Sequence, residues 1–186
     1  MGLYLSGSLS YGDFNPAKRD IDLTVILSRG PIAEELELIK DLHKKIEKKD
    51  QTWAKRIECS YIPIDMLRNI SPPNIPRPYY NCGTFFNEAH YVNEWIINNY
   101  LLYEHGITLI GTQFKELIKA IDIVEVQKAC IRDLFQEWVT KTTDSVCLDE
   151  PVSGLYHSKS MSCFIFYHVA SYWLKNSCCI MGKKRI

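Results

Sequence analysis

The sequence lacks three features, each of which would assign it to a class of protein. No apolar run approaches the roughly 20 residues that a membrane-spanning helix needs. Neither sign of charge is in excess, because Lys and Arg together number 22 and Asp and Glu together number 22. Repeats of fixed period and low-complexity tracts are also absent. We therefore expect no membrane partner and no nucleic-acid partner, since surfaces for duplex DNA or anionic lipid carry a clear excess of positive charge.

The seven cysteines include no Cys-x-x-Cys motif. Their odd number and irregular spacing, with no signal peptide at the start of the sequence, favour free thiols in a reducing cytosol and hence a cytoplasmic protein. Cys178 and Cys179 are adjacent, and the spacing around them supplies no further ligands for a tetrahedral zinc site. We interpret the cysteines as structural thiols.

The chain does have a composition suited to a folded core. Its 186 residues are 46% apolar, which is enough for one domain or two small ones. The first half follows the order strand, turn, strand, helix, strand, and beyond a proline-rich loop at 71–78 the pattern changes to helices. This order predicts an α+β or α/β protein, in which a small sheet with a crossover helix precedes a helical half; we expect the α+β class.

The first half is predicted to contain three strands and one long helix. The strands are residues 3–5, 21–28 and 56–62, and alternation in the last of them places Ile57, Cys59 and Tyr61 on one face. Pro31 suits the first position of the helix. Apolar residues at helical spacing then predict a core-facing stripe, consisting of Ile32, Leu36, Ile39, Leu42 and Ile46.

The second half is predicted to be mainly helical. Asn87 is expected to cap a helix that runs to about residue 105, and Thr112 to cap a shorter one after an extended piece at 107–110. Further helices are predicted over about 124–141 and 156–176. Their aromatic residues recur at helical spacing, which favours a bundle core over a base-stacking surface.

Two aspartates, Asp20 and Asp22, stand at the start of the second predicted strand. Residues i and i+2 of a strand point to the same face, so the two carboxylates would lie side by side and repel each other. A divalent cation with oxygen ligands, most often Mg²⁺, is the simplest compensation. Asp20 alone is also compatible with a turn or a strand cap, whereas an unpaired Asp22 between apolar neighbours would be costly.

Other residues complete a possible site around this pair. Gly7 and Ser8 follow the first strand and could open a helical turn, whose N–H groups and hydroxyl suit phosphate oxygens. Glu58 would add a third carboxylate if its strand lies beside Asp22; the alternative is an exposed residue paired with Arg56 or Lys55. Three carboxylates next to a phosphate cradle are typical of metal-assisted phosphoryl or nucleotidyl transfer.

This ordered set resembles the nucleotidyltransferase superfamily that includes the DNA polymerase β-like fold. Residues 4–23 resemble more specifically the aminoglycoside adenylyltransferases of the streptomycin/spectinomycin class. Residues 56–60 resemble the strand of that family that bears its third acidic residue, and residues 103–111 resemble the segment that opens its helical domain. The resemblance is fullest over residues 3–27 and weakest over 156–186.

The resemblance implies a small mixed-sheet nucleotidyltransferase domain over residues 1–85 and an all-α substrate-binding domain over residues 86–186, truncated at its end. It implies Mg²⁺-dependent transfer of AMP from ATP to a hydroxyl of an aminoglycoside or aminocyclitol antibiotic, which would confer resistance. Gly7 and Ser8 would hold the ATP phosphates. Asp20 and Asp22 would bind Mg²⁺. Glu58 would complete the metal site and act as the general base.

The sequence departs from this family at several positions. Arg19 stands where the family has serine, and His168 is the nearest match to a helical arginine of the family. Lys183 is the nearest match to a basic residue that contacts the nucleotide, although it could equally belong to a solvated basic tail. The chain also looks clipped at both ends.

These departures motivate alternative functions. One is a truncated, non-catalytic relative that binds only a nucleotide or a partner. Another keeps the chemistry but transfers the nucleotide to a protein or a tRNA end. The lack of a basic surface counts against this last alternative.

Overall fold

The fold is mixed α+β and is built on one six-stranded sheet. The computed structural model describes residues 1–138, with side chains described through residue 136. The chain divides into two compact units, residues 1–122 and 123–186. The predicted helix at 156–176, with His168, and the predicted nucleotide contact Lys183 lie outside the described residues.

The sheet lies entirely in the first unit. Its strands have the order β5-β4-β3-β2-β1-β6. Only β2 and β3 are parallel to each other; the other neighbours are antiparallel. The strands are β1 Gly2–Ser6, β2 Ile21–Leu27, β3 Ile57–Pro63, β4 Arg77–Asn81, β5 Thr84–Ala89 and β6 Ile107–Gly111.

The helices of the first unit connect these strands. Helix α1 (Gly7–Ser10) follows β1, and α2 (Ala33–Lys49) is the crossover between β2 and β3. The short α3 (Gln51–Ala54) precedes β3, and a 3₁₀ helix at Ile64–Arg68 follows it. Helices α4 (Glu94–His105) and α5 (Phe114–Leu117) flank β6. No helix within residues 1–138 has the length and apolar character to cross a membrane.

The second unit contains one helix among its described residues. Helix α6 covers Ile123–Asp133, and a π-helical turn continues it over Leu134–Trp138. This helix agrees with the start of the helix predicted at 124–141, whose last three residues lie outside the described part of the chain.

A hydrophobic core cluster beneath α2 confirms the predicted alternation of β3. Cys59 and Tyr61 are buried together with Tyr80 of β4, and Leu23, Val25, Leu27, Ile39, Ile57 and Phe85 pack around them. Because side chains alternate along a strand, Asp22 and Glu58 point to the opposite face of the sheet. The alternation thus separates this apolar cluster from the acidic residues.

The predicted apolar stripe of α2 is partly wrong. Ile32 and Leu42 are exposed, and the buried residue of the helix is His43. Its ring stacks on Tyr80 with 3.8 Å between centroids, and Nε2 lies 2.8 Å from the Tyr61 hydroxyl. Aromatic neighbours and the hydroxyl partner at Nε2 accommodate the ring in the core, and Nδ1 is buried with no hydrogen-bond partner among the described residues. The helix also begins two residues after Pro31, which therefore lies before the helix and not at its first position.

The proline-rich segment was predicted as a loop, yet its end belongs to the sheet. Strand β4 begins at Arg77 and includes Pro78. The register with β5 shifts between Arg77 and Tyr79, and a proline inside a sheet is tolerated at such an irregularity because it has no N–H to donate.

Two predicted helix caps are also wrong. Asn87 lies in β5, and the helix after it begins at Glu94 with Asn93 as its N-cap. The short helix α5 is preceded by Gln113, one residue after the predicted cap Thr112. The extended piece at 107–110 is confirmed, and as β6 it pairs with β1 at the edge of the sheet.

Candidate active site

The acidic site lies where the parallel strands β2 and β3 begin. Asp22 and Glu58 are directly paired residues of these strands. Their side chains therefore lie next to each other on the face opposite the core beneath α2. This juxtaposition confirms the prediction that Glu58 would join Asp22 on one face, and it follows from the crossover connection that makes the two strands parallel neighbours.

Asp20 belongs to the same group although it does not lie in the strand. Strand β2 starts at Ile21, as the pattern predicted, and the N–H of Ile21 donates to the carbonyl of Arg56 at 2.7 Å. Carboxylate oxygens of Asp20 and Glu58 and the Sγ atom of Cys82 lie within 4.8 Å of one another. The structure thus brings all three predicted carboxylates to the start of β2 and β3.

Gly7 packs directly against Asp22. Its φ of +64° is in the left-handed region that side chains rarely adopt, and a methyl group on its Cα would overlap Oδ2 of Asp22. Only glycine lets the turn into α1 approach the carboxyl group this closely. The predicted turn is confirmed, and the close approach of the Asp22 carboxylate explains why the residue is glycine.

Ser8, the next residue, is a buried polar group. Only 5% of its surface is exposed, and its Oγ has no hydrogen-bond partner among the described residues. A buried hydroxyl without a partner is costly. The predicted phosphate contact therefore has an oxygen atom that a polar ligand could satisfy.

Burial and crowded negative charge together determine the electrostatics of the site. Burial raises the pKa of Asp22 well above its usual value, and the charges of Asp20 and Glu58 raise this pKa further. Arg19 opposes the shift, although its guanidinium also lies 3.7 Å from the carboxylate of Asp13. Arg19 is thus a weak local counter-charge, and a bound cation would relieve the remaining repulsion.

Cys82 is a site residue that the sequence did not reveal. It lies with Gly83 in the two-residue turn between β4 and β5, and both residues have positive φ, 46° and 102°. Burial and the charges of Glu58, Asp20 and Asp22 raise the pKa of its thiol to about 12. A two-residue turn containing glycine between aromatic-rich segments was an available signal for this hairpin.

Tyr79 is a second residue that was missed. Its hydroxyl donates a hydrogen bond to Oε2 of Glu58 at 3.0 Å. Burial, followed by the charge of Glu58, raises the pKa of Tyr79, so the hydroxyl keeps its proton at neutral pH. Arg77 and Pro78, which directly precede Tyr79, were predicted to belong to a loop. The position of Tyr79 in β4 was therefore not predicted.

The donor set fits a divalent cation. Carboxylate oxygens are the ligands that Mg²⁺ prefers, and the cluster around Asp20 and Glu58 holds its donors within 4.8 Å of each other. The thiol of Cys82 is a softer donor, which suits metals such as Zn²⁺ better than Mg²⁺. The pKa of Asp22 is raised first by burial and then by the charges of Asp20 and Glu58, and a bound cation would oppose this repulsion.

Comparisons with known proteins give a likeness of fold to a solved structure. No family model matches the chain, and no curated protein matches it. The fold is similar to that of a solved spectinomycin adenyltransferase from Enterococcus faecialis, crystallised with ATP and spectinomycin, with a TM-score of 0.49 and 16% identity. The likeness covers 73% of this chain and 58% of the solved chain. Values this low leave the function to be inferred from the site itself.

Proposed function

We propose that the chain is a Mg²⁺-dependent nucleotidyltransferase that transfers AMP from ATP to a hydroxyl group. The observation that carries the proposal is the pairing of Asp22 with Glu58, close to Asp20 and with Gly7 against Asp22. Such a group of carboxylates beside a turn with a buried, unpartnered hydroxyl suits a metal ion bound together with phosphate.

The residues have distinct roles in this reaction. Asp20, Asp22 and Glu58 would hold Mg²⁺, which supplies charge stabilisation at the phosphate oxygens. Backbone N–H groups at Gly7 and the Ser8 hydroxyl would bind phosphate oxygens.

Glu58 would take the proton of the acceptor hydroxyl as its oxygen attacks the α-phosphorus. The new bond joins the acceptor oxygen to the α-phosphorus. The bond between the α-phosphorus and the oxygen that bridges to the β-phosphate breaks, and pyrophosphate leaves. Lys183, outside the described residues, remains a proposed nucleotide contact.

The proposed acceptor is an aminoglycoside or aminocyclitol. Residues 4–23 resemble the streptomycin/spectinomycin class of adenylyltransferases, which supports this choice. A neutral chain with 22 residues of each charge sign also fits a small substrate better than a nucleic acid.

AMP transfer from α-labelled ATP to streptomycin or spectinomycin tests the proposal. We expect labelled antibiotic in the presence of Mg²⁺, and a loss of at least about a hundredfold in Glu58→Gln and Asp22→Asn. Asp41→Asn is the matched control, because Asp41 forms an exposed ion pair with Lys44 and should not affect transfer. A folded wild-type protein that modifies neither antibiotic, or full activity in Asp22→Asn, would contradict the proposal.

Thermal unfolding with Mg-ATP separates catalysis from binding alone. A nucleotide bound to the native state at a hundredfold excess over Kd stabilises it by about 2.7 kcal/mol. Stabilisation without transfer would favour the non-catalytic nucleotide binder, and no stabilisation would remove nucleotide binding altogether.

A further inference from the structure

Tyr79 holds Glu58 from a neighbouring strand. Glu58 pairs with Asn81 of β4, and Ser60 pairs with Tyr79, so Tyr79 lies diagonally across from Glu58 on the same face of the sheet. The diagonal distance is within reach of an aromatic side chain. The hydroxyl bridges it with the 3.0 Å hydrogen bond to Oε2.

The ring of Tyr79 is fixed by its surroundings. Phe86, its cross-strand neighbour in β5, stacks on it with 6.3 Å between centroids and 25° between planes. The guanidinium of Arg77 also contacts the Tyr79 ring and lies 4.9 Å from its centroid. Tyr79 therefore offers its hydroxyl from a defined position.

Arg77 is itself firmly held. It is buried, and its Nη1 donates to the carbonyl of Ala89 at 2.9 Å. The guanidinium also lies 3.3 Å from the ring centroid of Tyr91. A buried arginine with aromatic neighbours and a backbone partner gives Tyr79 a rigid support.

We propose that Tyr79 is a positioning residue, which orients the Glu58 carboxylate for metal binding and for proton removal in the reaction proposed above. With Oε2 accepting from Tyr79, the carboxylate no longer turns freely about its last bond. Its orientation is set before any ligand arrives. Hydrogen bonds to ligating carboxylates commonly determine metal affinity in this way.

The proposal rests on the proposed function and predicts coupled effects. Tyr79→Phe keeps the ring and its stacking but removes the hydroxyl. We expect Mn²⁺ affinity, measured by electron paramagnetic resonance, to fall by about tenfold. For AMP transfer we expect kcat to fall while KM for the acceptor changes little, because the lost interaction acts on the reacting group.

A double-mutant cycle tests whether Tyr79 acts through Glu58. In the Glu58→Gln background, Tyr79→Phe should weaken Mn²⁺ binding by much less than tenfold, because the carboxylate that it orients is gone. Equal losses in both backgrounds would show a general structural effect and overturn the proposal.

Tyr80→Phe is the matched control from the same strand. Its hydroxyl donates to the carbonyl of Ala54 at 3.3 Å on the other face of the sheet, so its removal should leave Mn²⁺ affinity unchanged. An equal loss in Tyr80→Phe would also overturn the proposal. If the wild-type protein binds no Mn²⁺ and transfers no AMP, the proposed function is rejected. If the wild-type protein binds Mn²⁺ and transfers AMP but the effects of Tyr79→Phe and Glu58→Gln on Mn²⁺ affinity are additive, only the role of Tyr79 is rejected.

Discussion

Gly7 and Asp22 are in such close contact that the position of the Asp22 carboxylate leaves no room for a side chain at residue 7. A side chain on Gly7 would overlap Oδ2 of Asp22. The left-handed φ of Gly7 also disfavours any other residue. The glycine that follows the first strand therefore contacts the acidic site and does not serve only the turn.

We predict that Gly7→Ala destabilises the protein more than Gly12→Ala. Both glycines have positive φ, but a Cβ on Gly12 would meet nothing within 4 Å. Gly12→Ala should cost about 1 kcal/mol from backbone strain alone, and Gly7→Ala should cost at least twice that value because Asp22 must move. Urea unfolding of the two variants measures the difference, and equal costs would contradict the close contact.

The sequence predicted the centre of the site because strand alternation is a local property. Asp22 interrupts an apolar strand, and Glu58 alternates with Cys59 and Ile57, so each residue could be assigned to a face. Their pairing required only that the crossover helix return the chain parallel to β2.

The hairpin β4–β5 was missed because local signals conflicted. The prolines before it predicted a loop, and Pro78 lies inside β4. Asn87 looked like a helix cap but lies in β5. Because Tyr79 and Cys82 belong to this hairpin, neither of them was predicted as a site residue. Sheet pairing with β3 overrode the local preferences here.

Asp22→Asn should have opposite effects on activity and on stability. Burial, then Asp20 and Glu58, raise the pKa of Asp22. A carboxyl with a raised folded-state pKa contributes stability at low pH, which is lost as pH rises through that pKa. In EDTA at neutral pH, Asp22→Asn should therefore be more stable than wild type.

Urea unfolding in EDTA checks the effect, with Asp41→Asn as the exposed control. Added Mg²⁺ should stabilise wild type and reduce the difference, since a cation removes the repulsion that the asparagine abolishes. A variant less stable than wild type in EDTA would contradict the electrostatic interpretation of the site.

Cys82 should make the site sensitive to thiophilic metals. Its Sγ lies within 4.8 Å of donor oxygens of Asp20 and Glu58, and a bound metal promotes loss of the thiol proton. We expect Zn²⁺ to compete with Mn²⁺, and Cys82→Ser to weaken Zn²⁺ binding by at least about tenfold while Mg²⁺ binding changes little. Competition measured by electron paramagnetic resonance tests this.

Cys130→Ser, which alters a half-buried thiol of α6, is the control. Equal Zn²⁺ affinity in wild type and Cys82→Ser would rule out the Cys82 thiol as a ligand.

His43 should make the fold sensitive to mild acid. Burial lowers its pKa from 6.5 to about 4, because the aromatic core disfavours the charged ring. A histidine with a depressed folded-state pKa contributes stability that is present above its unfolded pKa and is lost as pH falls through the folded one. Wild type should therefore lose stability between pH 6.5 and about 4, and His43→Gln, though less stable at neutral pH, should lose less over this range.

Unfolding in urea at several pH values measures how the free energy of unfolding depends on pH. His90→Gln, which changes an exposed histidine, should keep the wild-type dependence. An unchanged dependence in His43→Gln would contradict the assignment to His43.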